Sequence, residues 1–376
     1  MSPVKKVLVI GGGIAGMCSA ILLRKSGREV DLVEIDPEWR VYGAGITISG
    51  PTLRAFGKVG VLQEIMDQGW CADGCKIALP NGHVVAELPT PRVAGPDVPG
   101  GGAILRPVLA RILSKATLAS GANVRLGVTF TSIRQDARQA HVAFSDGSES
   151  SYDLVIGADG VHSKTRQAVM PEAAAPVYTG QGCWRALVPR APGIDNAHII
   201  LGKTVKAGVN PVSQDQMYLF CLETNEQNAF LDPATWQARL TALLEGFTGV
   251  VGEIRDNLGP DSQIIYRPLE KLLVPGPWHR GRVVLIGDAV HATTPHLASG
   301  AGISVEDAVV LAEELDRPGT LQEVLEVFSA RRHARCKLVV ESSVRLGELE
   351  SAGTPEAKEE HGLLMRDTMR KLLEPI

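Results

Sequence analysis

The chain has 376 residues, 44% of them hydrophobic, and a formal net charge of −4, which is typical of a folded globular protein with one large domain or two. The weak negative charge, without a cluster of Lys and Arg, gives no reason to expect nucleic acid, and no apolar run of about 18 residues predicts membrane insertion. The six cysteines lack a zinc-type spacing and the first residues lack the apolar region of a signal peptide, so free thiols and a cytoplasmic location are expected.

The first predicted unit is a strand, a glycine-rich turn and a helix near the start of the chain. Lys6 to Ile10 is a short apolar run, and a G-x-G-x-x-G pattern follows at Gly11–Gly16. A second apolar run, Val30 to Ile35, ends with Glu34, which follows Gly16 by 18 residues. A βαβ unit with an acid near this spacing binds dinucleotides, and the pattern alone does not separate NAD from FAD.

Each residue of this turn has a separate physical role. Gly11 permits a tight turn, Gly13 lets the backbone approach a pyrophosphate, and Gly16 lets the helix pack on the strand. The first helical residues, Ile14 and Ala15, offer unpaired N–H groups and the positive end of the helix dipole to the phosphates.

Two later apolar runs also end in a turn that carries an acid. Asp153 to Ile156 leads into Gly157-Ala158-Asp159-Gly160, and Val283 to Ile286 leads into Gly287-Asp288-Ala289. Both acids are predicted at the carboxyl ends of parallel strands, where open α/β sheets bind ligands. The alternative for Asp288 is a cap on the next helix.

The stretches between these motifs have a different character. Residues 71–104 are rich in Gly and Pro, and residues 177–268 contain alternating runs that predict strands. We interpret both as one β-rich substrate domain, inserted into a discontinuous dinucleotide-binding domain that is formed by residues 1–70, 105–176 and 269–320. Residues 321–376 are predicted to form C-terminal helices that brace the domains, with a dimer contact as the alternative; a monomer and a homodimer both remain open.

Together the motifs resemble those of the flavoprotein monooxygenases of the p-hydroxybenzoate hydroxylase type, over about residues 4–345. The matched segments are Gly11–Gly16, Glu34, Gly43-Ala44-Gly45-Ile46, Arg106 in Leu105–Leu109, Gly157–Gly160 with Ser163 and Arg166, Gly287–His291, Pro295 and Glu306-Asp307-Ala308. The resemblance implies an α/β (α+β) fold: a Rossmann-like FAD-binding domain of the p-hydroxybenzoate hydroxylase and glutathione reductase type, an inserted β-sheet substrate domain and C-terminal helices. The chain departs from the family at Ala298-Ser299, which replaces Gly-Gln, and at Ser49–Thr52, which replaces Pro-Asn.

The resemblance also implies non-covalent FAD and a role for each matched residue. Glu34 would hold the adenosine ribose, Arg106 the ribityl or phosphate region and Asp288 a ribityl hydroxyl, while the backbone of Phe130 would lie near the adenine. Asp307, in the helix after the Asp288 turn, is expected to matter less for FAD binding. The implied FAD-binding residues are Gly11, Gly13, Ile14, Ala15, Gly16, Glu34, Arg40, Gly45, Arg106, Phe130, Asp159, Asp288, Pro295, Gly300, Ala301 and Gly302, of which the last three would place N–H groups at the pyrimidine edge of the flavin.

The activity implied by the resemblance is hydroxylation of a small aromatic or heteroaromatic compound, with NADH or NADPH and O2, through a flavin C4a-hydroperoxide. No nucleophile or set of metal ligands is apparent, which is expected when a cofactor carries the chemistry. His296 is the candidate catalytic and substrate-binding residue, because a histidine titrates near neutrality; the alternative is a partly exposed loop histidine. Arg185 is a candidate for an anionic substrate, with a salt bridge inside its domain as the alternative.

Three further expectations concern single residues and the kind of protein. His291 is expected to be structural, and Met217 and Phe220 to belong to the core. A flavin reductase or dehydrogenase without oxygen insertion, and a non-catalytic flavoprotein that shelters a ligand, are the competing functions.

Overall fold

The structure is a computed structural model that describes residues 4–41, 43–202, 205–228 and 230–376. The first residues, to which the prediction about a signal peptide applies, therefore lie partly outside it. The strands are β1 (Lys6–Ile10), β2 (Glu29–Glu34), β3 (Gly45–Ser49), β4 (Trp70–Ala72), β5 (Cys75–Ala78), β6 (Val84–Leu88), β7 (Gly101–Leu105), β8 (Asn123–Leu126), β9 (Phe130–Gln135), β10 (Ala140–Phe144), β11 (Glu149–Tyr152), β12 (Leu154–Gly157), β13 (Val177–Pro189), β14 (Ala197–Leu201), β15 (Lys206–Pro211), β16 (Gln216–Thr224), β17 (Ile264–Lys271), β18 (His279–Arg280) and β19 (Val283–Leu285).

Helices surround these strands, and two short 3-10 turns lie at Pro233–Thr235 and Pro295–Leu297. The α-helices are α1 (Ile14–Lys25), α2 (Gly50–Val59), α3 (Leu62–Gln68), α4 (Arg106–Ala119), α5 (Lys164–Val169), α6 (Trp236–Leu243), α7 (Gly249–Asp256), α8 (Asp288–His291), α9 (Gly300–Leu315), α10 (Leu321–Ala352) and α11 (Pro355–Leu373).

The first sheet has the strand order β18-β19-β12-β1-β2-β8. Its central strands β19, β12, β1 and β2 are parallel to one another, as the sequence predicts, and the short edge strand β18 is antiparallel to β19. Their residues are buried on both faces, with Leu8, Leu32 and Val284 fully inaccessible, because a parallel sheet is covered by helices on both sides. All three predicted acid-bearing turns therefore follow strands of one parallel sheet.

The second large sheet has the order β17-β13-β16-β15-β14-β5-β6. One face packs on α6 and α7 through a core that contains Trp184, Met217 and Leu219. The opposite face packs through Tyr218, with Phe220 beside it, on Ala44 and other residues of the first part of the chain. The alternation of a strand thus places Met217 in the core that packs on α6 and α7, as predicted, and Phe220 on the opposite face, partly buried beside Tyr218.

Two smaller sheets complete the described strands, in the orders β3-β7-β4 and β11-β10-β9. Strands β5 and β6 join the second large sheet, whereas β4 and β7 pair with β3. The stretch 71–104 is therefore shared between two sheets, and the division into domains stays a prediction.

The C-terminal helices begin at defined caps. Thr320 and Glu323 form a reciprocal capping box at the start of α10, and the hydroxyl of Thr354 accepts a hydrogen bond at the start of α11. Both helices agree with the predicted helical pattern, and α10 packs between α9 and α11. No helix among the described residues is long and apolar enough to cross a membrane.

Candidate cofactor and substrate site

The glycine-rich turn brings β1, α1 and the turn after β12 into close contact. Gly11 has a φ of +106°, and a Cβ there would lie 2.4 Å from the carbonyl oxygen of Ala158. A Cβ on Gly16 would lie 2.0 Å from the carbonyl oxygen of Gly11, whereas one on Gly13 would meet nothing within 4 Å. Backbone donation inside α1 begins with Met17, which bonds to Gly13 at 2.9 Å. The earlier N–H groups of the helix therefore face open space above Gly13.

Glu34 closes this turn at the end of β2. Its carboxylate accepts hydrogen bonds from the N–H of Gly12 at 2.7 Å and of Asp36 at 2.9 Å. The indole of Trp39 donates to the carbonyl of Gly12 at 2.8 Å, so it covers the same turn. Trp39 has a positive φ of 51°, and the sequence analysis did not single it out.

Two other predicted cofactor residues lie around Glu34. Arg40 pairs with Asp36 at 3.2 Å and is half exposed. Phe130 begins β9, but the N–H that donates to the carbonyl of Glu34 belongs to Val128, at 3.1 Å. The backbone of Val128 therefore contacts Glu34 directly, a proximity that the pairing of β8 with β2 creates.

The side chain of Asp159 bonds to other residues of the protein at the start of α5. Its carboxylate accepts bonds from the Ser163 hydroxyl at 2.5 Å and from the N–H and hydroxyl of Thr165, both at 2.9 Å. These bonds fix the start of α5, so it is the backbone of Asp159 that packs beside Gly11 of the glycine-rich turn. Arg166 in α5 donates to the carbonyl of Ala289 at 2.7 Å and ties this turn to the next acid-bearing one.

Asp288 is the first residue of α8, and its carboxylate accepts no hydrogen bond from the described residues. The predicted alternative, a helix cap, is therefore not observed. The side chain is accessible to solvent, but the surrounding protein still raises the pKa of the carboxyl by burial, against the opposing charges of His291 and Arg106. An acid that solvent reaches, and that no described residue pairs with, suits a ligand hydroxyl.

Asp307 supports the turn that carries Asp288. It is fully buried in α9 and accepts bonds from the N–H of Gly287 at 2.8 Å, from the His291 ring at 2.5 Å and from Arg332 at 2.8 Å. Arg332 also lies 3.0 Å from Glu306. Burial would raise the pKa of Asp307, but the cations His291 and Arg332 hold it below its usual value.

His291 is structural, as the sequence predicts. It is fully buried and its ring centre lies 5.3 Å from that of Trp278. Burial opposes its protonation, yet the carboxylate of Asp307 raises the pKa of His291 well above the ordinary value. His291, Asp307 and Cys336 offer ligand atoms within 4.8 Å of one another, and the guanidinium of Arg332 already lies among them, bonded to both Asp307 and Cys336.

Residues 294–299 lead into the start of α9 and are called the flavin-edge loop because they precede Gly300–Gly302, the residues that the resemblance places at the flavin edge. Backbone donation in α9 begins with Ile303, which bonds to Ser299 at 3.0 Å, so the N–H groups of Gly300–Gly302 have no helical partner. A Cβ on Gly302 would lie 2.3 Å from the Thr52 hydroxyl. Ala298 has a φ of +49°. This conformation explains the glycine of the family pattern at this place, since alanine there costs about 1–2 kcal/mol.

Arg106 begins α4 and Arg185 lies in β13, and the two cations are close enough to affect each other. Burial lowers the pKa of Arg106, the charge of Arg185 lowers it further, and Asp288 opposes both. Arg185 projects from β13, and no carboxylate of the described residues lies within ion-pair distance of it, so the predicted salt bridge is not observed. The ring of Tyr218 lies beside them and would overlap a Cβ on Gly45, which explains that glycine by packing.

His296 differs from both predicted alternatives. It is buried, its Nδ1 lies 2.9 Å from the Thr294 hydroxyl and its Nε2 lies 3.5 Å from a carboxylate oxygen of Glu350 in α10. Burial and the charge of Lys206 lower its pKa to about 3, although Glu350 opposes this. The expectation of titration near neutrality is therefore wrong, and so is the alternative of a partly exposed histidine, because α10 covers the ring.

We therefore expect His296→Gln to leave the shape of the pH profile of kcat/KM unchanged between pH 5 and 8. The imidazole is already neutral throughout this range, so removing it deletes no titration there. Profiles of the wild type, His296→Gln and the exposed control His83→Gln check this. An inflection near pH 6.5 that only His296→Gln abolishes would contradict it.

The His296 ring packs against α10 at Gly347, where the helix has no side chain. A Cβ there would lie 2.8 Å from His296 Cε1 and 2.4 Å from the Gln181 side chain. We expect Gly347→Ala to destabilise the protein by about 1–3 kcal/mol, since overpacking outweighs the better helix propensity of alanine. Gly362→Ala in α11, where a Cβ would meet nothing within 4 Å, should instead stabilise by up to about 1 kcal/mol. Denaturant unfolding of both variants checks the contrast, and equal effects would contradict it.

These features fit FAD. Two helix N-termini with unbonded N–H groups, those of α1 and α9, offer donors to a pyrophosphate and to an anionic ring edge. Glu34 and Asp288 offer acceptors to sugar and ribityl hydroxyls, and Arg106 offers a positive charge next to Asp288.

Comparisons with known proteins agree with this fit. The family described as "FAD binding domain" matches residues 5–343. The putative FAD-dependent monooxygenase YetM of Bacillus subtilis is 30% identical, over 94% of this chain and 96% of that protein. The 2-heptyl-3-hydroxy-4(1H)-quinolone synthase of Pseudomonas aeruginosa strain PAO1 is 32% identical, over 92% and 90%. The crystal structure of Klebsiella pneumoniae HpxO with FAD and uric acid is similar, with a TM-score of 0.83, 25% identity and coverage of 98% and 95%.

Proposed function

Since the chain belongs to the family of FAD-dependent aromatic hydroxylases, we propose that it is an NAD(P)H-dependent monooxygenase that hydroxylates a small aromatic or heteroaromatic compound with O2. The observation that carries the proposal is the carboxylate of Asp288, which follows a strand of the parallel sheet, lies near Arg106 and has no partner among the described residues. The Pseudomonas aeruginosa relative is named as the synthase of a quinolone, and the Klebsiella pneumoniae structure holds uric acid beside FAD, so both are associated with heteroaromatic ring compounds.

We assign the cofactor to residues from four turns. The N–H groups at the start of α1 would bind the pyrophosphate, with Glu34 on the adenosine ribose and Asp288 on a ribityl hydroxyl. The N–H groups of Gly300–Gly302 would stabilise negative charge at the flavin edge. When bound, FAD supplies the redox chemistry, namely oxidation of NAD(P)H and activation of O2.

The substrate would lie between the flavin-edge loop and the second large sheet. Arg185 is a cation without a carboxylate partner within the part of the chain that the structure describes, so it would orient an anionic or electron-rich ring. His296 stays neutral and therefore would contribute position rather than proton abstraction. The sheet and α10 enclose this region and would exclude water from the reacting atoms.

The proposal also covers the cellular compartment and the oligomeric state of the enzyme. All six cysteines are free, and burial raises the pKa of Cys18 and Cys221 far above the ordinary value, which leaves them unreactive. Free thiols suit the cytoplasm, where the enzyme would act as a monomer or homodimer.

The test begins with the purified protein, which should release free FAD on mild acid treatment. A panel of phenols, hydroxypyridines, quinolones and purines is then scored for stimulated NAD(P)H oxidation under 18O2. The expected result is a product that carries one 18O atom. Substrate oxidation without 18O would indicate a reductase or dehydrogenase, and FAD binding with no stimulated oxidation by any compound would indicate a non-catalytic flavoprotein.

A further inference from the structure

A buried charged cluster joins the C-terminal helices to both walls of the site. Glu350 in α10 accepts hydrogen bonds from Lys206 of β15 at 2.5 Å and from His361 of α11 at 3.0 Å. Its other carboxylate oxygen lies 3.5 Å from Nε2 of His296 in the flavin-edge loop. The side chains of Lys206 and Glu350 are only 15% and 17% exposed. Four elements thus meet at one carboxylate.

The protonation of this cluster fixes the tautomer of His296. Attraction to Lys206 and the bond from His361 hold the pKa of Glu350 at about 2 against its burial, so the carboxylate is an acceptor only. A neutral imidazole beside a carboxylate carries its proton on the nitrogen that faces it. The hydroxyl of Thr294 then donates to Nδ1, and Nε2–H points at Glu350. Nε2 is buried and makes no hydrogen bond to any described residue, so its contact with the Glu350 carboxylate is an electrostatic one at 3.5 Å.

We propose that Glu350 is a positioning residue for the active site. Its carboxylate holds the flavin-edge loop through Nε2–H of His296. The same carboxylate binds Lys206 of β15, and this fixes the position of the loop relative to the second large sheet. The proposal rests on the proposed function only in placing the flavin at the start of α9. It makes α10 and α11 part of the catalytic assembly rather than a brace behind it. No proton transfer is required of Glu350, because it acts through the orientation of His296.

The alternative is a purely structural ion pair between Lys206 and Glu350. A buried pair can be replaced by uncharged side chains of similar size with little loss of stability. Two double variants therefore separate the roles. K206M/E350M and K206M/E350Q both remove the pair, but only glutamine retains an oxygen that accepts from His296.

The first measurement uses the holoenzyme without substrate. In K206M/E350M we expect the visible circular dichroism of bound FAD to change and the Kd for FAD to rise about two- to tenfold, as for one lost hydrogen bond. K206M/E350Q should stay close to the wild type. The exposed control E341Q, on the same helix and 61% exposed, should match the wild type in every measurement.

The second measurement is the His296 tautomer, taken by 15N NMR of histidine-labelled protein with or without FAD. We expect the Nε2–H form in the wild type and in K206M/E350Q, and a mixture of tautomers in K206M/E350M. Identical tautomers and identical flavin spectra in the two double variants would overturn the proposal.

A single variant, H296L, tests the same contact in case the double variants do not fold. H296L leaves the ion pair intact and removes only the tether, so it should reproduce the altered flavin spectrum of K206M/E350M. A wild-type flavin spectrum in H296L would by itself overturn the proposal. Failure of the proposed function would appear differently, as absence of oxygenated product from the wild type, because neither measurement above needs a substrate.

Discussion

Replacing Asp307 with alanine should lower the free energy of unfolding by about 3–5 kcal/mol, because it removes a partner from a buried charge. Arg332 is 1% exposed, and it would keep only Glu306 as a carboxylate partner. The same change leaves the N–H of Gly287 and the ring of His291 without their acceptor. The loss should therefore exceed that of an ordinary helix substitution.

Denaturant unfolding at a fixed FAD concentration measures this loss, since bound FAD adds to stability by mass action. Asp367→Ala in α11 is the matched control, because its side chain is 58% exposed, and it should change stability by less than about 0.5 kcal/mol. Asp307→Asn keeps the shape and removes the charge, so it should fall between the two. Equal stabilities of Asp307→Ala and Asp367→Ala would show that the buried network contributes nothing.

The pH dependence of this loss has a defined sign. The pKa of Asp307 is lowered in the folded state, so its stabilisation is present above the unfolded pKa of about 3.9 and is lost as pH falls through the folded value. The pKa of His291 is raised, so its contribution is present below about pH 6.5 and is lost as pH rises through the folded value. The difference in the free energy of unfolding between the wild type and Asp307→Ala should therefore be largest between about pH 3.9 and pH 6.5.

The parallel strands and their turns were predictable because their signals are local. Lys6–Ile10 and Val283–Ile286 are short β-branched runs that end in glycine, and only a strand buried on both faces tolerates such a run. The observed strands β1 and β19 begin at the predicted residues. The family pattern likewise placed Asp288 at a strand end, where the structure finds it unpaired.

The supporting residues were not predictable because their partners are distant in sequence. Lys206 and Glu350 are separated by 144 residues, and Arg332 follows Asp307 by 25. No periodicity marks such pairs before the helices are packed. The same holds for His296: its position in the loop suggested an ordinary histidine pKa, but the absence of a side chain at Gly347 lets α10 cover it and lower that pKa.

Asp288→Ala should weaken FAD binding about 5- to 150-fold, which corresponds to about 1–3 kcal/mol for a lost hydrogen bond to a ligand hydroxyl in an enclosed site. The carboxylate has no partner among the described residues, so its removal should cost little stability in the apoprotein. Titration of FAD into apoprotein, followed by flavin fluorescence, measures the Kd. Asp261→Ala, an exposed turn residue before β17, is the control and should bind as the wild type does.

The pH dependence of the Kd distinguishes a ligand contact from a general loss of charge. Burial raises the pKa of the Asp288 carboxyl in the free cleft, and a hydroxyl of FAD that donates to it favours the ionised form. Linkage then requires FAD binding to be tightest above this raised pKa and to weaken as pH falls through it. Asp288→Asn still accepts through its amide oxygen but cannot ionise, so its Kd should be intermediate and should lack this pH dependence. If Asp288→Ala, Asp288→Asn and the wild type all follow one pH curve with the same Kd, Asp288 does not contact the cofactor, and the cleft must hold it through Arg106 and the two helix N-termini alone.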